Sequence, residues 1–143
     1  VDGDQLFVQA PTGIGKTMAV ILPALKTLSQ GKVDRIFYLT ARSTGKQVAK
    51  EAFNILLDQG LRLKMVTLTA KEKICFNAGA ECNRDECEFA KGYHDRIDEA
   101  ITRAFETDCL GRDAIEKIAR QSMVCPFELS LELSELADCI ICD

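Results

Sequence analysis

Apolar and polar positions along the first 70 residues follow two rhythms. Leu6 to Val8 is a short apolar run between polar neighbours, the pattern of a buried strand. From Met18 onward, Ala19, Ile21, Leu22, Leu25 and Leu28 predict a buried helix. Pro23 inside it is a cost, because an interior proline deletes one backbone hydrogen bond and bends the helix. Arg35 to Thr40 (RIFYLT) predicts a second strand. Ser43 or Thr44 can cap the next helix, whose apolar stripe is Val48, Ala49, Ala52, Phe53 and Leu56, and Gly60 closes it. Leu63 to Leu68 predicts a third strand. Strand and helix in this order predict an α/β fold with parallel strands and right-handed crossovers.

The pattern breaks near Ala70, and residues 71–87 show no clean period of either kind. Beyond them Ile97, Ala100, Ile101, Ala104 and Phe105 predict an amphipathic helix. Asp113 and Glu116 form a capping pair for another, with Ile115, Ile118 and Ala119 on its buried side. Glu128 to Leu136 predicts a third helix, and Asp138 to Cys142 (DCIIC) returns to strand. The expected organisation is a first part of an α/β domain over 1–70, a small helical insertion over 71–126, and a return helix and strand over 127–143. There is no internal repeat.

Composition narrows this little. A chain of 143 residues, 47% hydrophobic and 28% charged, reads as one globular domain. No apolar run approaches the length of a membrane span and no signal peptide precedes the first strand, so a cytoplasmic protein with no membrane partner is expected. The sequence opens almost on a strand and ends on one, which reads as a fragment of a longer protein. The net charge of −4 argues against nucleic acid as a partner, but charge is unevenly spread. Residues 42–73 hold seven basic and three acidic side chains, and residues 81–108 hold four basic and nine acidic. A basic strip beside an acidic module and two ordinary solvated faces are both compatible with that division.

The junction between the first strand and helix carries the first candidate chemistry. Ala10-Pro-Thr-Gly-Ile-Gly-Lys-Thr17 fits a phosphate-binding P-loop, with alanine in place of the usual first glycine. Over Thr12, Gly13, Ile14, Gly15, Lys16 and Thr17 the backbone amides turn toward phosphate oxygens, and the new helix adds its free N–H groups and positive dipole end. Lys16 reaches the β- and γ-phosphates of ATP, and the Thr17 hydroxyl ligates Mg²⁺; these two carry the catalytic roles.

The seven cysteines form the second candidate, an odd number that does not describe a closed disulfide framework. Cys75, Cys82, Cys87 and Cys125 make a candidate metal set, able to hold zinc or an iron–sulfur cluster. The spacing has no CxxC knuckle among the first three, which favours a larger cluster over a structural zinc. Cys109 is an alternative fourth ligand. The one CxxC, Cys139 to Cys142, lies in an apolar strand where residues three apart face opposite ways, so both read as small buried hydrophobes. His94 reads as a surface or cap residue. Phe76, Phe89, Tyr93 and Phe127 read as packing for the insertion, with base stacking as the alternative.

Together these residues resemble the XPD-like, DinG-type DNA helicases of superfamily 2. APTGIGKT is similar to their Walker A motif, and Phe37 to Phe53 (FYLTARSTGKQVAKEAF) resembles motif Ia, which touches the DNA backbone. Cys75 follows Lys71 by four positions, as the first cluster cysteine follows a basic residue in that family. Cys87 in CEFAKGYHDR resembles the third ligand, and Cys125 in CPFELSLELSELADCIICD the fourth; the short gap before Cys87 departs from some relatives and bears on Cys82.

The resemblance implies a partial RecA-like P-loop domain with a parallel sheet, interrupted by a mainly helical iron–sulfur insertion. It implies ATP, Mg²⁺ and a 4Fe–4S cluster, movement 5′ to 3′ on single-stranded DNA, unwinding at duplex junctions, and DNA repair as a setting. Arg42 and Lys71 are the expected DNA contacts. Asp143 ends a strand in the shape of a Walker B motif, yet the resemblance places the DEAH-type box further along, so the fragment alone is expected not to turn over ATP. The rival readings are a P-loop ATPase or kinase with a zinc module, and a non-catalytic redox or nucleic-acid-binding module.

Overall fold

The computed structural model describes residues 3, 5–11, 13–79, 81–83 and 85–142, without the Ser43 side chain. Its elements run α1 (Lys16–Ser29), β1 (Ile36–Leu39), α2 (Ser43–Asp58), β2 (Met65–Thr67), α3 (Lys71–Ile74), α4 (Tyr93–Ala104), β3 (Cys109–Leu110), α5 (Arg112–Ser122), α6 (Pro126–Leu136) and β4 (Cys139–Cys142). The four strands form one sheet in the order β1-β4-β2-β3, with every pairing parallel. The expected α/β class and parallel pairing are therefore observed.

β4, the last strand in the chain, fills a central place. Ile36 to Leu39 align with Cys139 to Cys142 on one side, and Met65 to Thr67 align with Cys139 to Ile141 on the other. A central parallel strand is covered on both faces, so it reads as a continuous apolar run rather than an alternation. Cys139, Ile140 and Ile141 are fully buried, which explains the sequence CIIC.

Side-chain alternation divides the strands between two cores. Met65, Cys139 and Ile141 join Ile21, Ala49, Ala52, Phe53 and Leu63 in the layer of α1 and α2. Val66 and Leu110 face the other way, toward Ile97, Ala100, Ile115, Leu129 and Leu133 from α4, α5 and α6. Helices thus cover both faces, as a parallel sheet requires. Phe53 is fully buried, and its truncation to alanine would cost about 3–5 kcal/mol.

Several expectations need correction. Leu6 to Val8 forms no strand, and Leu6, Phe7 and Val8 are 86%, 89% and 73% exposed. A strand exists only through its ladder, and this segment pairs with none of the four strands among the described residues. The stripes are narrower than expected: Val48 and Leu22 are half exposed and Ala19 is exposed, because α1 and α2 each bury only one side. Asp113 and Glu116 do not form a capping pair. α5 starts at Arg112 with Gly111 at its N-cap and no side-chain cap bond, and Glu116 instead accepts from Arg112 at 2.6 Å. Likewise Arg42, not Ser43 or Thr44, takes the N-cap place of α2. The short α3 lies in the stretch that showed no period, and the two-residue β3 was not expected at all. The closing role of Gly60 is observed: its φ is +96°, and the amides of Gly60 and Leu61 bond back to Leu57 and Leu56.

Lys64 ties the segment before β3 to the sheet. Its ammonium donates to the carbonyls of Phe105 and Thr107 at 2.6 and 3.1 Å and to Asp108 Oδ1 at 2.8 Å. β3, inside the 71–126 stretch, is thereby seated beside β2.

Candidate nucleotide loop and cysteine cavity

The loop before α1 takes its shape from two glycines. Gly13 and Gly15 have φ of +85° and +79°, a region that side-chain-bearing residues rarely enter. A Cβ on either would meet nothing within 4 Å, so conformation rather than space requires glycine here. Gly15 is the N-cap of α1 and offers no side-chain bond to the first-turn amides, and no acid sits in that turn. Those amides and the positive helix end are free to meet an anion.

Lys16 Nζ donates to the carbonyls of Ala10 and Pro11 at 2.9 and 2.7 Å, which keeps its ammonium over the loop. Ile14 is exposed and Thr17 half-buried at the helix start. Of the six loop residues expected to hold nucleotide, five share this turn; Thr12 lies outside the described residues, as does Asp143.

The second site is a cavity of about 270 Å³ with Cys75, Cys82, Cys87 and Cys125 on its wall. Different local structures bring each cysteine there. Cys75 is the C-cap of α3, anchored by the buried Ile74. Cys82 is exposed and Cys87 buried in the irregular stretch that follows. Cys125 is the N-cap of α6, with Pro126 opening the helix behind it. Burial pushes the Cys125 thiol up, and the neighbouring amides of Phe127 and Glu128 oppose that shift. Among the described residues, no three Cys, His, Asp or Glu side chains gather closely enough to hold a single metal ion.

The aromatic residues pack this region. Phe76 meets Phe89 edge to face at 5.0 Å, and the Arg120 guanidinium lies 3.8 Å from the Phe76 centroid. Phe76 and Phe127 also pack against the core of α4 to α6. His94 is exposed in the first turn of α4 and touches the cavity wall.

The expected DNA contacts are in different settings. Arg42 is exposed just after β1 and is not on the cavity wall. Lys71 is on that wall; its ammonium lies 6.0 Å from the Phe127 centroid, and the Cys82 sulfur beside it raises its pKa above the ordinary 10.5. Cys109 is not on the wall. It stands half-buried in β3, paired with Met65 of β2, and burial raises its thiol pKa. Cys139 is buried in β4, where burial pushes its thiol up to about 12, and the half-buried Cys142 faces the groove of Leu68 and Phe127.

Glu128 and Glu132 share the wall and were missed by sequence reasoning. The signal was present: they follow Cys125 by three and seven positions, which puts all three on one face of α6.

A family model described as DEAD/DEAH box helicase matches residues 1–109. The chain belongs to the DEAD/DEAH box helicases. The match covers the glycine loop, β1 and β2 with the helices up to α4, and three of the four cavity cysteines, and it ends at the first residue of β3. Membership implies ATP and Mg²⁺ binding and points to an ATP-dependent helicase or a nucleic-acid-related ATPase. No curated protein matches the sequence. Among the described residues, no helix is long and apolar enough to cross a membrane.

Proposed function

We propose that this chain is part of the first motor domain of an XPD-like, DinG-type DNA helicase, and that Cys75, Cys82, Cys87 and Cys125 hold a 4Fe–4S cluster. The observation that supports the cluster is the meeting of these four thiols, one of them 38 to 50 positions from the others, on one cavity. Four thiolates suit a tetrahedral zinc as well as an iron–sulfur cluster, and zinc needs its sulfurs roughly 3.8 Å apart. In a cubane each thiolate binds a different iron, so its ligands stand further apart. The all-cysteine donor set and a shared cavity of about 270 Å³ are compatible with that group. When bound, the cluster supplies a cross-link among α3, the irregular stretch and α6, together with a one-electron centre.

The protein's own residues divide the remaining work. The loop over Thr12 to Thr17 cradles the phosphates, Lys16 offsets the charge that gathers as the terminal phosphoryl transfers, and Thr17 holds Mg²⁺. Arg42 and Lys71 are proposed contacts for single-stranded DNA, with the 71–126 stretch as the element that meets the duplex junction and residues 1–70 and 127–143 as the motor part. Movement is 5′ to 3′, in a cytoplasmic setting.

The test joins two measurements. Anaerobically purified protein is assayed for iron and sulfide, and phosphate release is followed with and without single-stranded DNA, for this chain and for a longer protein that contains it. The proposal expects a brown protein, and DNA-stimulated release from the longer protein but not from the 143-residue chain. A colourless preparation with one zinc per chain removes the cluster and favours a P-loop ATPase with a zinc module. DNA-stimulated turnover by the short chain alone overturns the reading of Asp143 as lying outside the Mg²⁺ site.

A further inference from the structure

The wall of the cysteine cavity carries a polar group that the fold leaves unused. Tyr93 opens α4 and is 8% exposed. Its hydroxyl is buried with no hydrogen-bond partner among the described residues. A buried O–H without an acceptor opposes folding, and phenylalanine would fill nearly the same volume without that cost. The ring itself is well placed, packed in the core of α4 to α6 and 5.5 Å from the His94 ring at 84°. Packing therefore accounts for an aromatic residue at this position, and does not account for its oxygen.

The neighbours decide what the oxygen can do. A phenol carries its proton at neutral pH, so this hydroxyl is available as a donor. Tyr93, Cys75, Cys82, Cys87 and Cys125 line the same cavity. The residue that carries this orphaned donor shares its cavity with four sulfurs, which are acceptors of the kind a buried phenol needs.

We infer that the Tyr93 hydroxyl donates a hydrogen bond to a sulfur of the cluster, and so acts as a positioning residue that raises its reduction potential. The inference rests on the cluster reading above. A hydrogen bond to cluster sulfur draws electron density away and stabilises the reduced form. Neither Glu128 nor Glu132 takes the bond in the structure, although both carboxylates lie on the same wall.

The experiment compares anaerobically purified wild-type chain with Tyr93→Phe and with 3-fluorotyrosine incorporated at position 93. Iron and sulfide content, far-ultraviolet circular dichroism and the reduction potential by redox titration are measured for each. Tyr93→Phe is expected to keep its iron and shift to a more negative potential. The fluorinated phenol is a stronger donor and is expected to shift it to a more positive one. Equal potentials in all three, with full iron in each, overturn the hydrogen bond while leaving the cluster standing. Absence of iron from the wild type overturns both. If Tyr93→Phe cannot retain iron, the fluorinated protein decides: a positive shift supports the hydrogen bond and an unchanged potential ends it.

Discussion

Lys64 and Asp138, 74 positions apart, clasp each other where β2 and β4 begin. The Lys64 amide donates to Asp138 Oδ2 at 2.8 Å, and the Lys64 carbonyl accepts from the Asp138 amide at 3.0 Å. The same carbonyl accepts from Cys139 at 3.1 Å, so the clasp sets the register in which β4 enters the sheet. Asp138→Ala leaves a half-buried amide without its charged acceptor and is expected to cost about 1.5–3 kcal/mol. Asp138→Asn keeps an acceptor and loses less. Urea unfolding checks this: the midpoint falls in that order while the slope stays constant. Equal midpoints for all three proteins would show that the ladder alone fixes the register.

The Lys64 side chain makes a second prediction, in pH. Its ammonium bonds to Asp108, and that hydrogen bond, with the charge behind it, holds the Asp108 carboxyl below its ordinary 3.8. A carboxyl with a depressed folded-state pKa adds stability above its unfolded value and loses it as pH falls through the folded one. Wild type should therefore lose this contribution below about pH 3.8, and Asp108→Asn should show a shallower loss of stability across that range. Both side chains are partly exposed, so added salt should narrow the difference between the two proteins. Parallel acid-unfolding curves would count against the pair.

How much of this could be read from the sequence depends on whether a segment's partner is local. α2 was legible because its stripe and Gly60 lie within one helix. β4 was legible because burial on both faces makes it apolar throughout. β3 was not, since Cys109 and Leu110 become a strand only by pairing with Met65 and Val66, more than 40 positions earlier. Leu6 to Val8 failed for the converse reason: an apolar run without a ladder is not a strand. At the cysteines, spacing named the four residues but not the shared wall. Tyr93 and the two glutamates needed the helix faces of α4 and α6 to be placed first.

Gly13 and Gly15 give a prediction that separates loop shape from charge. Alanine at either position must hold a left-handed backbone, at about 1–2 kcal/mol, although no atom obstructs its Cβ. Lys16→Ala leaves the backbone untouched and removes only exposed bonds to Ala10 and Pro11. Binding of a fluorescent adenine nucleotide should weaken tenfold or more in all three variants, roughly 1.4 kcal/mol or above. Thermal melting should fall for the glycine variants and hold for Lys16→Ala. A stable Gly15→Ala protein with unchanged affinity would mean that the loop does not need its left-handed turn.

Arg42 and Lys71 are both expected DNA contacts, and their settings differ. Arg42 is an exposed cation at the start of α2, whereas Lys71 has the Cys82 sulfur beside it. Each is replaced by alanine in a protein long enough to bind DNA, and affinity for single-stranded DNA is followed against salt. Loss of one phosphate contact should reduce the slope of log affinity on log salt by about 0.7. Arg42→Ala is expected to do so without change in iron content. Lys71→Ala should lower the slope and also loosen Cys82, seen as faster loss of visible absorbance in air. An unchanged slope for either variant takes that residue off the DNA path.

The cysteines make the prediction with the widest reach. Between Ile74 and Tyr93, Cys87 is the sole buried residue among those described, so this stretch has little apolar burial to offset its chain entropy. Ligand bonds must then supply its order. Serine at Cys75, Cys82, Cys87 or Cys125 should abolish the brown colour and the roughly four irons per chain that a 4Fe–4S cluster contributes. It should also open residues 76–92 to protease, because that segment has lost its cross-link. The sheet should survive, since Met65, Ile140 and Ile141 are fully buried apart from the cavity. Cys139→Ser puts a hydroxyl into the closed core beside Met65 and Ile141, so its melting temperature should fall while its iron stays. Cys109→Ser and Cys142→Ser should keep theirs as well, because neither lines the cavity. Iron loss on replacing Cys109, with Cys125 dispensable, would mean that the fourth ligand comes from β3 and that α6 turns its N-terminus to some other group.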